Sequence, residues 1–332
     1  MSTATNAPAY PWLRPSWERL NSRLASGRLA HANLLLAADG VGMESLVEDF
    51  VRALLCEAPS PEGACAHCRA CHLLHAGTHP DLLRLELEEG AKQLKIDQIR
   101  SVTDFVNSSA HGGIRKVVII DQADRMNPAA ANALLKNLEE PSGDCVFLLT
   151  TFHPFALLPT LRSRCQKFEI PVPSREESRR WLSTQGLSAD DADRALDLAA
   201  LAPLRALQYA RGTQLDLYAQ LRDSLCALST GAELPSSVVT RWKADPDQVL
   251  GMLLQVCEDL IRSSMIGTEG REDELGQHWK DLDCRQLFEF RDRLLSHKRE
   301  AGATNLNPQM LLRDLSLDYF RSVKLAKRTH SH

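Results

Sequence analysis

Apolar residues follow two rhythms along this chain, and the rhythm changes near residue 173. Up to that point short unbroken apolar runs alternate with stretches in which apolar residues recur every three or four positions. The runs are HANLLLA (His31 to Ala37), RKVVIID (Arg115 to Asp121), CVFLLTT (Cys145 to Thr151) and the shorter KFEI (Lys167 to Ile170). RKVVIID is β-branched and apolar enough to be buried on both faces, as strands of parallel sheets are. Strands alternating with helical patterns predict an α/β layer structure with a largely parallel sheet over residues 1–173. Asn127-Pro128 reads as an N-cap followed by Pro at the first helical position, and AAANALLKNLEE then runs as a helix until Pro141.

After Pro171-Val172-Pro173 the period is almost entirely helical. Ser174-Arg175-Glu176-Glu177 has the form of a capping box. Three short helices fill 174–211, and Gly212 ends the last. A break, GAELPSS (Gly231 to Ser237), precedes longer amphipathic helices at about 246–266, 284–300 and 307–325. The predicted divisions are therefore 1–173, 174–213 and 214–332, which suits 332 residues, long for one domain. The chain has neither an internal repeat nor a low-complexity tract, and its basic end, KLAKRTHSH, is expected to fray.

A hydrophobic content of 44% with 25% charged residues describes an ordinary soluble globular protein. A net charge of −4 supplies no global basic field, so contact with nucleic acid must come from a local patch or from partners. MSTATNAPAYPWLRPSW has neither the basic nor the apolar region of a signal peptide. No apolar run approaches the length, roughly 20 residues, that spans a bilayer. The expectation is a soluble, cytoplasmic protein with no membrane partner, in which nine cysteines are not read as disulfides.

Four of those cysteines, Cys56, Cys65, Cys68 and Cys71, have the spacing C-x8-C-x2-C-x2-C. A C-x2-C turn delivers two thiolates to one side of an ion, and four thiolates complete the tetrahedron that Zn²⁺ takes in a structural site. His67 and His72 are alternative ligands. An iron–sulfur cluster also takes thiolates, but no other feature supports redox chemistry.

ADGVGMES (Ala38 to Ser45) sits between a strand and an amphipathic helix, the context of a phosphate-binding loop, G-x-x-x-x-G-K-[ST]. Gly40 and Gly42 keep the turn. Met43 stands where the Lys belongs, and Glu44 where the Ser or Thr belongs. In a working loop the Lys neutralises phosphate charge and the hydroxyl holds Mg²⁺; Met43 brings no charge and Glu44 brings repulsion. The second carboxylate position is altered too. Asp121 ends VVIID where a Walker B strand presents its Mg²⁺ ligand, and Gln122 stands where a Glu polarises the attacking water; an amide cannot take that proton. The glycines alone suit a tight strand-to-helix turn. Farther on, Ser163-Arg164-Cys165 places an arginine in a turn before KFEI. Such a guanidinium either is a solvated surface group or reaches a neighbour's γ-phosphate as a trans arginine finger. Arg162 is the alternative two residues earlier.

YPWLRPSWERL, LLLAADGVG, the cysteine cluster continuing into HAGTHPDL, IDQIR, ANALLKNLEEP and TLRSRC, in this order, resemble the clamp-loader branch of the AAA+ family, the subunits that load the sliding clamp for bacterial DNA polymerase III. The resemblance is dense over residues 10–170 and thins through the helical half, recovering a little at NLNPQMLLRDLSL. It implies an AAA+ core over 1–173 with a zinc module inserted at about 56–79, a small three-helix lid over 174–213, and an all-α collar for oligomerisation over 214–332. The implied partners are gamma/tau-type and delta-type subunits in a ring of five, and indirectly the beta sliding clamp and primed DNA.

Active members keep the Lys and Glu that this chain lacks. The resemblance thus implies a noncatalytic subunit of the polymerase holoenzyme, a rigid stator with structural Zn²⁺ on Cys56, Cys65, Cys68 and Cys71, no ATP bound productively, and Arg164 as its trans finger. A sensor-2 arginine is not assigned: Arg205 in APLRAL is nearest, but the Gly-Ser that precedes it in the family is absent. Two other readings stay open. An ATP-hydrolysing gamma/tau-like subunit predicts intrinsic turnover. A stand-alone zinc-containing nucleic-acid binder predicts salt-dependent DNA affinity without partners.

Overall fold

The apolar runs become a five-stranded sheet in which every adjacent pair is parallel. In the computed structural model the strands are β1 (Ala32–Leu36), β2 (Leu82–Leu85), β3 (Lys116–Ile120), β4 (Cys145–Thr151) and β5 (Gln166–Glu169), in the order β2-β3-β4-β1-β5. The structure describes residues 8–88, 91, 93–108, 115–140, 143–242, 245–266, 284–303 and 308–329. They fall into two compact units, Met1–Leu207 and Gln208–His332.

β3 and β4 are buried along their whole length, which is why they read as unbroken apolar runs. Successive side chains still go to opposite faces. Val117 and Ile119 join Leu35, Val146, Leu148 and Phe168 on one face, under α1 (Arg14–Ala25) and α2 (Met43–Leu55). Val118 and Ile120 join Leu34, Phe147 and Leu149 on the other, under α4 (Ile96–Asn107), α5 (Pro128–Glu139) and α6 (Pro159–Arg164). α2 buries Met43, Leu46, Val47, Phe50, Val51 and Leu54, a stripe of helical spacing. Burial of Phe50 alone contributes roughly 1.5–3 kcal/mol. α5 starts as the sequence predicts, with Asn127 Oδ1 accepting from the Ala130 amide at 2.8 Å. Its expected stop, Pro141, lies outside the described residues.

The sheet has one strand that the apolar pattern does not announce. β2, LLRL, is a short edge strand, half-buried except at Leu85, and it carries a charge in its middle. β5, at the other edge, runs one residue earlier than KFEI, with Phe168 alone buried.

The short α3 (Arg69–His75) follows the cysteine cluster, and the three predicted short helices are α7 (Arg175–Thr184), α8 (Ala189–Leu198) and α9 (Pro203–Arg211). Ser174 Oγ accepts from the Glu177 amide at 3.2 Å, which is the capping half of the predicted box. The boundary between the two units falls within α9.

The second unit holds α10 (Gln214–Thr230), α11 (Pro235–Arg241), α12 (Pro246–Ile266), α13 (Cys284–Ala303) and α14 (Pro308–Thr329). The GAELPSS break is a left-handed Gly231 ending α10 and Pro235 opening α11. Inside this unit Tyr319 is buried, its ring centroid 5.2 Å from that of Phe290. Among the described residues no helix is long and apolar enough to cross a membrane.

Candidate functional site: a covered phosphate loop, a rim arginine and a thiolate cluster

The glycine turn joins the end of β1 to the start of α2, as the sequence predicts, with both glycines left-handed (Gly40 φ +85°, Gly42 φ +94°). They are needed for more than the turn. A Cβ on Gly40 would lie 2.5 Å from Cβ of Arg205 and 2.9 Å from its backbone N. One on Gly42 would lie 2.8 Å from the Tyr10 ring and 3.3 Å from Leu204. The Leu204 amide donates to Gly40 O at 3.0 Å, and Arg205 pairs with Asp39. The first turn of α9 and an N-terminal aromatic thus cover the loop.

The cover is mainly apolar in origin. Tyr10 stacks on Trp12 at 5.2 Å, and Trp181 of α7 meets both rings edge-on at 5.8 and 5.3 Å. Trp12 Nε1 donates to Val41 O of the loop at 2.7 Å. Each such ring pair contributes about 0.5–1.5 kcal/mol beyond its burial. The half-exposed Asp39–Arg205 pair contributes only about 0.2–1 kcal/mol. Met43 is buried in the core beneath α2 rather than reaching over the loop, whereas Glu44 faces solvent.

A substitution tests the close approach. Gly186 is also left-handed (φ +89°) but has nothing within 4 Å, so Gly186→Ala carries backbone strain alone. Gly42→Ala carries the same strain, on the order of 1–3 kcal/mol, plus the collision with Tyr10. Denaturant unfolding is expected to show the larger loss for Gly42→Ala. Equal losses would mean the aromatic cover yields freely.

At the carboxylate position an internal cation is already present. Arg84 of β2 donates to Asp121 Oδ2 at 3.0 Å, pairs with Glu48 of α2 and lies 3.5 Å from Glu86. Burial pushes the Asp121 carboxyl up, and the Arg84 guanidinium opposes that shift. Thr150 Oγ1 donates to Asp121 Oδ1 at 3.3 Å and accepts the Gln122 amide at 3.0 Å. Gln122 itself is left-handed (φ +48°). The sequence pattern leaves Arg84 out of the site altogether. Its signal is an arginine inside a short apolar strand, which needs an acid nearby.

Arg164 is the last residue of α6, on the rim. Its Nε donates to Glu139 at 2.6 Å, its Nη1 donates to Thr160 O at 3.0 Å, and its Nη2 pairs with Glu139. Arg162 lies instead over the Phe155 ring, 5.7 Å from the centroid.

The four cysteines converge. Cys56 caps the C-terminus of α2, and Cys68 caps the N-terminus of α3. Their Sγ atoms all lie within 4.8 Å of one another, with Cys56–Cys68 at 3.9 Å and Cys65–Cys71 at 4.0 Å. Zn–S bonds of about 2.3 Å in a tetrahedron require S···S of about 3.8 Å, so the residues fit a zinc ion. Backbone amides of Cys65, Cys68 and Cys71 donate to Cys56, Cys65 and Cys68 Sγ at 3.2, 3.3 and 3.4 Å. Such bonds fix the sulfurs in place, as the hydrogen bonds around metal ligands do. The His67 amide draws the Cys65 thiol down to about 7, while burial pushes Cys56 and Cys71 up. His67 turns Nδ1 to Cys65 O at 2.7 Å, away from the cluster.

The parallel sheet with flanking helices, the glycine turn between β1 and α2 and the acid ending β3 define an α/β core of parallel strands followed by helices, the architecture expected of the resembled family. The family described as "DNA polymerase III, delta subunit" matches residues 13–174. The DNA polymerase III subunit delta' of Pseudomonas aeruginosa is 45% identical over 195 residues, 59% of this chain and 58% of that protein. That of Escherichia coli is 42% identical over 218 residues, 65% of this chain and 64% of that protein. These matches span less than two thirds of the relatives' length. A DNA polymerase III gamma subunit-related protein of Thermotoga maritima matches at 18% identity and a TM-score of 0.42, covering 93% of this chain and 99% of that one, too loose a likeness to inform function. Over the matched residues the chain is similar to the delta prime subunits of bacterial DNA polymerase III, in line with the clamp-loader resemblance of the quoted segments.

Proposed function

We propose that this chain is a noncatalytic clamp-loader subunit of the delta prime type, a rigid stator that serves an ATP held by its neighbour. The observation that carries this reading is the covered loop: Tyr10, Leu204 and Arg205 occupy the space against Gly40 and Gly42. Losing the Lys and Glu removes the chemistry, and packing the lid onto the loop removes the room. Arg84 on Asp121 supplies a fixed positive charge where a working site takes Mg²⁺. A wall held by aromatic packing does not respond to nucleotide, which is what a stator requires.

In this reading residues 1–173, 174–213 and 214–332 are core, lid and collar. Arg164 is the trans finger, and gamma/tau-type and delta-type subunits are neighbours in a five-membered ring that places a sliding clamp on primed DNA in the cytoplasm. Cys56, Cys65, Cys68 and Cys71 hold Zn²⁺ as a structural ion, for four thiolates leave no open position for catalysis.

The isolated chain is expected to bind no ATP up to about millimolar concentration in calorimetry, weaker than the affinities enzymes typically show for substrates. Met43→Lys alone is expected to leave that unchanged, because the cover stays in place. Micromolar affinity in the unaltered chain defeats the reading. Co-purification with gamma-type and delta-type chains, with ATPase assayed before and after adding this protein, tests the partnership.

A further inference from the structure

We infer that Glu139 is a positioning residue for Arg164, holding the guanidinium at the end of α6 in the orientation used across the subunit boundary; this rests on the proposed finger role. The two side chains leave the fold at anchored points. Leu138, just before Glu139, and Cys165, just after Arg164, are both buried in the core face shared by α5 and α6. Glu139 ends α5, Arg164 ends α6, and the carboxylate takes Nε of Arg164 at 2.6 Å and pairs with Nη2. Thr160 O takes one N–H of Nη1 at 3.0 Å. A guanidinium has five N–H groups, so each terminal nitrogen keeps one for a further acceptor such as a phosphate oxygen.

Stability does not account for the contact. The Arg164 and Glu139 side chains are 34% and 48% exposed. Ion pairs so exposed contribute little to folding. Arg162, two residues away, has no carboxylate partner among the described residues and lies over Phe155. The contact restricts a long side chain before a partner arrives, and this restriction lowers the ordering cost at the moment of reaction.

The test uses the full complex, assembled from this chain and its own gamma-type and delta-type partners. Glu139→Ala is expected to lower kcat for ATP hydrolysis about 3- to 10-fold, the range set by freeing one rotamer-rich side chain, with KM and assembly on gel filtration unchanged. Glu139→Gln, which keeps an acceptor for Nε, is expected to retain at least about half of the turnover. In an Arg164→Ala background, Glu139→Ala is expected to change nothing further. Wild-type kcat for Glu139→Ala overturns the inference, as does a Glu139→Gln variant no better than Ala, or a loss carried by KM or by assembly. If Arg164→Ala itself leaves turnover intact, the finger reading fails and takes this inference with it. If Arg164→Ala lowers turnover and Glu139→Ala does not, only the role of Glu139 falls.

Discussion

Arg164→Ala is expected to slow ATP hydrolysis by the assembled complex about 10³-fold or more, the contribution a trans arginine makes to phosphoryl transfer. The expected size follows from where the charge acts: transferring phosphate spreads negative charge over its oxygens, and a guanidinium held against them in a site closed to water is little screened. The fold should not notice the change. Arg164 bonds to Glu139 and Thr160 O at the surface, so the melting temperature and metal content of the isolated chain are expected to stay within error. Arg162→Ala is the matched control, since it removes an arginine from the same helix that packs on Phe155. Full turnover with Arg164→Ala, and loss with Arg162→Ala, would transfer the role.

Cys68→Ser is expected to abolish stoichiometric zinc, from about one ion per chain to near none after dialysis against a chelator. A structural zinc site draws its folding energy from the ion, on the order of 10 kcal/mol in small zinc modules, and loses most of it when one of four ligands goes. The segment from 56 to 79 contains one short helix and a few buried residues, among them Cys56, Ala70 and Cys71, so little else holds it. Limited proteolysis is expected to cut there first, while the sheet stays protected. Metal analysis that finds no zinc in the unaltered protein removes the site, and unchanged zinc in Cys68→Ser would point to a different ligand set.

Much of this was legible along the chain because it is short-range information. Unbroken apolar runs announce β1, β3 and β4, an Asn-Pro step announces α5, and two overlapping C-x2-C turns announce a thiolate cluster before any fold is known. The absent Lys at 43 and the Gln at 122 are likewise statements about single positions, and they carry the proposal that no ordinary phosphate or proton chemistry runs there.

Contacts between distant segments are different. Arg205 reaches Asp39 across 166 positions, Arg84 reaches Asp121 across 37, and Arg164 reaches Glu139 across 25. β2 was invisible for the same reason: three half-buried residues, an arginine among them, and one buried Leu carry no period, and only a place beside β3 makes them a strand. Periodicity states which face of an element is apolar, but not which element lies next to it. By itself, then, the chain determined most of its elements, the departure of the glycine turn from a working phosphate loop and the close spacing of its cysteines. Strand order and the packing of α9 decided which charges meet, how the space over the glycine turn is filled and which arginine at the end of α6 is held by a carboxylate, since those depend on surfaces brought together only when the apolar faces close.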